Sequence, residues 1–250
     1  MQPGRAPRRE RSIPTKASAS PVWGVAAIYA ARVELTRSYE IVIPPEVRAR
    51  YDFCETRNAA AVFASTNPTA FNDVLGVLRG FSLAAADITT PGGGKSQVAL
   101  RLDHEFRERG WHEAAHDLRI TSVLRIMPYH AKGEIDVVMR VTEVANEGYK
   151  VDNVKDRVAL DVEWHAKDGN LDRDVAAYRA LYDAAVIDVG VILSRRFDSI
   201  RALSIRLGRP GGFSTTTTTT IDKLEPRMGR GDGGGCPILA VAITERCYTP

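Results

Sequence analysis

The chain has only three cysteines in 250 residues, Cys54, Cys236 and Cys247, and none of them is spaced as C-x-x-C. An odd count at such separations argues against a disulfide framework and a cysteine-built zinc site, and it points to a reducing cytoplasm. No run approaches the roughly 20 apolar residues that cross a bilayer. The longest candidate, Val22 to Val33, is interrupted by Tyr29 and Arg32, so no membrane span is expected. Charge of one sign is also lacking, with 34 basic against 31 acidic side chains. The small excess of +3 sits at the start: Arg5, Arg8, Arg9, Arg11 and Lys16 against Glu10 give residues 1–20 a net +4 and leave the remainder at −1. A global basic balance is therefore no argument for nucleic acid, and any electrostatic footprint must be local. One such region runs from Arg195 to Arg230, with eight basic and three acidic residues.

What is present is the profile of an ordinary folded domain, 44% hydrophobic and 26% charged, long enough to bury a large core without staples. The first twenty residues are Arg-, Pro- and Ser-rich, without the apolar core of a secretory signal, and read as a disordered basic segment ahead of a single domain over 21–250. Within that domain the pattern predicts a short strand at Tyr39 to Ile43, a helix at Ala70 to Phe81, a loop at Thr89 to Ser96, and a helix from Gln97 to Arg109 closed by Gly110. Alternating strands follow at Leu118 to Ile126, Ile135 to Val144, Tyr149 to Val154 and Arg157 to Trp164. A helix over Leu171 to Ala185 leads into an apolar strand over Ala185 to Leu193. Strand, helix, strand in that order implies a parallel or mixed sheet. A loop at Gly211 to Thr220, a polar helix at Ile221 to Met228 and a last strand at Pro237 to Ile243 complete the α/β pattern.

Three motifs invite a functional reading. Gly92-Gly93-Gly94-Lys95-Ser96 ends like a phosphate-binding loop but has Thr89 where the first glycine belongs; at a helix N-terminus, Lys95 and Ser96 suit a single backbone phosphate better than a triphosphate. His112-Glu113-Ala114-Ala115-His116 matches H-E-x-x-H, and on a helix His112, Glu113 and His116 would build a zinc hydrolase site. The third is Asp152, then eight residues, then Asp161-Val162-Glu163. In the last strand Val158, Leu160, Val162 and Trp164 share one side, while Asp161 and Glu163 share the other, facing away from the hydrophobic partners. Three acids converging there would repel unless a divalent cation neutralises them, and hard oxygen ligands of this number suit Mg²⁺.

At these residues the chain resembles the BglII/BstYI group of type II restriction endonucleases, in the PD-(D/E)xK nuclease superfamily. The resemblance rests on Val151-Asp152 through Val158 to Trp164, on Ala166 to Asp174, on Val186 to Arg195, and on Asp222 to Arg227 and Arg230 to Pro237. It implies a restriction-endonuclease-like fold, a central mixed β-sheet flanked by helices. Position by position, Asp152 takes the place of the hairpin metal ligand and Asp161 that of the first acid of the pair. Glu163 stands where the superfamily usually has lysine, a departure that occurs in this group. Mg²⁺ would then be held by Asp152, Asp161, Glu163 and the Val162 carbonyl, with 5′-phosphate and 3′-hydroxyl products.

The resemblance also implies double-stranded DNA as substrate, a homodimer to cut a palindrome on both strands, a cognate methyltransferase, and a prokaryotic cytoplasm. It places a DNA-reading loop at the Ser214, Thr215, Thr216 and Thr217 run, whose hydroxyls suit base edges. Lys95, Ser96, His165, Lys167, Lys223, Arg227 and Arg230 are the remaining candidate DNA contacts. A catalytically silent DNA-binding relative, lacking the lysine, is the alternative from a different class.

Overall fold

The computed structural model describes residues 35–90, 96–213 and 217–250, all within one compact unit. The candidates Lys95, Ser214, Thr215 and Thr216, the basic segment 1–20 and the glycines of the phosphate-loop motif lie outside the described residues. In chain order the elements are β1 (Leu35–Thr36), α1 (Tyr39–Val42), α2 (Pro45–Arg48), β2 (Tyr51–Thr56), α3 (Ala59–Thr66), α4 (Pro68–Gly80), α5 (Ala85–Thr89) and α6 (Gln97–Arg107). They continue with β3 (His112–Ile126), β4 (Val138–Lys155), β5 (Val158–Val162), α7 (Gly169–Asp183), β6 (Val189–Arg195), α8 (Phe197–Arg206), α9 (Ile221–Arg230) and β7 (Ile238–Ile243).

The strands form one mixed sheet in the order β1-β2-β7-β6-β5-β4-β3. Its centre, β5-β6-β7, is parallel, and the flanks are antiparallel. Alternation in the central strands supplies two apolar faces at once. Val158, Leu160, Val162, Val191, Leu193 and Val241 pack under α3, α4, α6 and α8, while Ala159, Ile192, Ala240 and Ala242 meet α7 and α9. This is the expected α/β architecture, a central mixed sheet with helices on both faces.

One expected element and one alternative reading fail, each for a tertiary reason. Of the expected strand Tyr39 to Ile43, Tyr39–Val42 is helical and only the C-cap Ile43 is extended: Ile43 N–H bonds the Tyr39 carbonyl at 3.0 Å, and the Tyr39 ring stacks on Phe53 with centroids 5.7 Å apart. Packing on that ring outweighs the β preference of two branched residues. His112, Glu113 and His116 stand on strand β3, so the helical face required by the zinc reading does not form. Four residues of strand separate His112 from His116 by about 13 Å, beyond the span of one ion.

Past residue 118, β3 and β4 pair as a long ribbon, Leu118 opposite Asn146 to Ile126 opposite Val138. Ile120, Val123, Leu124, Val138, Met139, Val141 and Val144 are exposed along it.

Candidate active site

Antiparallel pairing of β4 and β5 sets Asn153 opposite Leu160. The next rung brings Asp152 beside Asp161, and the Asp152 backbone N–H donates to Asp161 Oδ1 at 2.9 Å. The expected alternation along β5 holds, but the acidic side is not a solvent face. Asp161 and Glu163 are buried at 4% exposure each, beneath α7.

Helix α7 supplies the groups that meet them. The Tyr178 hydroxyl lies 2.7 Å from Asp161 Oδ2 and 2.7 Å from the Val191 carbonyl. A phenol has one proton, so both contacts are hydrogen bonds only when Asp161 is protonated and donates to Tyr178. Asp174, four residues earlier on the same face and also buried, contacts Glu163. Glu163 Oε2 and Asp174 Oδ2 are buried without a hydrogen-bond donor, while Asp174 Oδ1 takes Arg173 Nη2 at 3.3 Å. Two carboxyls in contact with no donor between them require a proton or a cation. Burial is the largest cause raising all three groups. It lifts Asp161 to about 7, with the Asp174 charge adding to it, and Glu163 to about 7, with Asp161 and Asp152 adding. Asp174 rises to about 8 through burial and then the Glu163 charge.

A cleft of about 280 Å³ opens above this cluster, lined by Ser96, Asp152, Val162, Glu163, His165, Asn170 and Arg173 among others. Three of the four expected metal ligands thus share a wall. Asp161 does not line the cleft, because both its oxygens are engaged below. As placed, no three His, Cys, Asp or Glu side chains among the described residues could hold a metal ion together. A hard cation needs less: Mg²⁺ commonly takes one or two carboxylates and completes its octahedron with water and substrate phosphate. Asp152 and Glu163 on one wall, with the orphaned, proton-demanding Oε2 of Glu163, fit that donor set. A larger surface cavity of about 550 Å³ lies by α4 and α6, lined by Val77, Phe81, Arg101, His104 and Glu105 among others. It lacks such chemistry, since Arg101 pairs with Asp87 and Glu105 with Arg109.

The candidate DNA contacts divide. Ser96 lines the cleft while capping α6, its hydroxyl accepting from Ala99 N–H at 3.1 Å. His165 lines the cleft and stacks on Phe213, centroids 4.8 Å apart. Partial burial, then the Arg195 charge, lowers its pKa to about 4 and leaves it neutral. Lys167 is exposed and bridges to Thr218. Thr217 is exposed, its carbonyl accepting from Asp168 N–H at 3.2 Å. The end of the threonine run is structural: Thr218 accepts from Arg195 at 2.7 Å, and Thr219 donates to the Glu163 carbonyl at 3.0 Å. Lys223 pairs with Asp168 at 3.3 Å, Arg227 with Asp172 at 2.6 Å, and Arg230 with Asp232 at 2.7 Å.

Sequence reasoning missed Asn170, Arg173, Asp174 and Tyr178. The available signal was an aspartate on the apolar stripe of α7, between Leu171 and Val175 on one side and Tyr178 on the other. A carboxylate at a core position is seldom accidental.

A family model described as restriction endonuclease BglII/BglIII matches residues 51–243, taking in β2 through β7 and the cleft. Among curated proteins no match is found.

Proposed function

Because the chain belongs to the BglII/BglIII restriction endonuclease family, we propose that it makes Mg²⁺-dependent double-strand cuts at a short palindromic DNA site. Membership makes it a DNA phosphodiester hydrolase acting on double-stranded DNA, of a class that generally uses a divalent metal. In the proposed reading it works as a type II homodimer in a prokaryotic cytoplasm, beside a cognate methyltransferase, and leaves 5′-phosphate and 3′-hydroxyl ends.

The observation that carries the reading is the cleft wall of Asp152, Val162 and Glu163 over the buried Asp161 and Asp174. Asp152, Glu163 and Val162 line the cleft and would hold Mg²⁺, Val162 through its carbonyl, and Asp161, behind them, would join only by releasing the Tyr178 hydroxyl. When bound, the ion supplies Lewis-acid polarisation of the scissile phosphate and a more acidic water. The chain supplies the rest. Glu163, whose pKa burial lifts to about 7, is matched to accepting a proton from the attacking water. Tyr178 and the Asp152 N–H fix both oxygens of Asp161. Arg195, buried across the strand end, bonds the Trp164 carbonyl and Thr218 and so holds the turn that carries His165 into the cleft.

The test is unmethylated phage DNA incubated with the protein in Mg²⁺ or in EDTA, with Asp161→Ala as control. Discrete fragments formed only with Mg²⁺ and reduced at least about 100-fold in the variant are expected. DNA binding without cleavage in any divalent metal would overturn the reading in favour of a catalytically silent DNA-binding protein.

A further inference from the structure

We propose that Arg173 is a catalytic residue that contacts the scissile phosphodiester, supplying from α7 the positive charge that is lacking at Glu163, just past β5. The inference rests on the nuclease reading and adds a residue to it. The cleft wall carries Asp152 and Glu163, with Asp161 and Asp174 behind, whereas the substrate is itself an anion. An anion approaching such a wall needs a cation placed to meet it. Among the described residues that line the cleft, Arg173 is the only one with an ammonium or guanidinium group.

Among the described residues, three neighbouring cations are committed elsewhere, and the exposed Lys167 does not line the cleft. Arg195 is buried on Trp164 and Thr218. Lys223 and Arg227 are tied to Asp168 and Asp172 at the start of α7. Arg173 differs in being 57% exposed. Its Nε and Nη2 both reach one oxygen, Asp174 Oδ1, at 3.4 and 3.3 Å. Those are long contacts, and a guanidinium carries five N–H donors. Asn170, one turn earlier on α7, lines the same cleft, so this face of the helix is the one presented to substrate. Asp174 thus aims the guanidinium, and the donors it leaves over suit the paired oxygens of a phosphate.

The competing role is structural, with Arg173 serving only to neutralise Asp174. Two measurements separate them. The first is binding of a fluorescein-labelled duplex in Ca²⁺ across a NaCl series. Loss of one phosphate contact lowers the slope of log K against log [salt] by about 0.9. Arg173→Ala and Arg173→Gln are expected to show that drop, and Arg173→Lys to restore it. The second is single-turnover cleavage in Mg²⁺, expected to slow about 100-fold in Arg173→Ala and to recover partly in Arg173→Lys. An unchanged slope in Arg173→Ala overturns the contact, and a lowered slope with an unchanged rate overturns the catalytic role. If Arg173→Ala fails to fold, an Arg173→Gln/Asp174→Asn double variant, without the buried charge, gives the same readouts. Wild-type protein that binds DNA with a salt slope but cuts none sinks the nuclease reading, while the slope still decides the Arg173 contact.

Discussion

Asp161, Glu163 and Asp174 are worth following one proton at a time. In the unfolded chain each titrates near 4; in the fold, burial and mutual repulsion raise them to about 7, 7 and 8. The folded state therefore binds more protons than the unfolded state between those limits. For groups raised by folding, the stabilisation is complete below the unfolded value and is lost as pH rises through the folded one. Metal-free protein is expected to melt at a lower temperature at pH 8.5 than at pH 5.5, with a slope of about 1.4 kcal/mol per pH unit for each extra proton bound. Asp174→Asn should flatten that dependence. Added Mg²⁺ should recover melting temperature at pH 8.5, where the carboxylates are charged. A melting temperature in EDTA that stays level from pH 5.5 to 8.5 would contradict the raised values. Tyr178→Phe tests the neighbouring bond: it leaves Asp161 Oδ2 without its hydrogen-bond partner at about 1–2 kcal/mol of stability. We expect cleavage in this variant to fall by about ten-fold or more at temperatures where it remains fully folded by circular dichroism.

The element that decides the site is α7, held against β6 by a contact only glycine permits. A Cβ on Gly190 would lie 2.1 Å from Tyr178 Cδ2, inside the ring that carries the hydroxyl to Asp161. Gly190→Ala is therefore expected to cost about 1–3 kcal/mol by overpacking. It should displace Tyr178, so that urea denaturation shows the loss together with reduced cleavage; a variant as stable and active as wild type would mean that α7 is free to shift. Much of this element was legible, because Leu171, Val175, Tyr178 and Leu181 repeat at helical spacing, and β5 alternates as a strand does. That Asp161 and Glu163 turn into a second buried layer was not legible, since alternation alone does not say whether a helix covers the polar side. Asp174 was hidden inside an apolar stripe. The H-E-x-x-H match at His112 to His116 builds no zinc site because an i, i+4 motif has meaning only on a helix, and pairing with β4 makes that segment a strand. The threonines divided unforeseen as well, because Thr218 and Thr219 spend their hydroxyls on Arg195 and the Glu163 backbone. Composition marks a loop without saying which of its groups the fold will claim.

At the scale of the whole molecule, the described residues hold one acid cluster and one cleft with it, whereas the two strands of a duplex run antiparallel. Cutting both at a palindrome calls for two such clefts related by a two-fold axis, one from each chain. The local charge agrees with an assembled rather than a steered encounter: the chain beyond residue 20 is near neutral, and Lys223, Arg227 and Arg230 are already paired with acids of their own chain. In the proposed dimer the second cut would depend on a partner already in place rather than on rebinding. This has a direct consequence for mixed assemblies. Wild-type protein should convert a supercoiled plasmid bearing one site to the linear form with little nicked circle. Subunit exchange with an excess of Asp161→Ala places one working cleft beside one dead cleft, so the product should shift to nicked circles in proportion to the mixed dimers formed. If the excess only slows the reaction and the product stays linear, the two cuts do not come from paired subunits. A single chain must then release one strand and turn to engage the other.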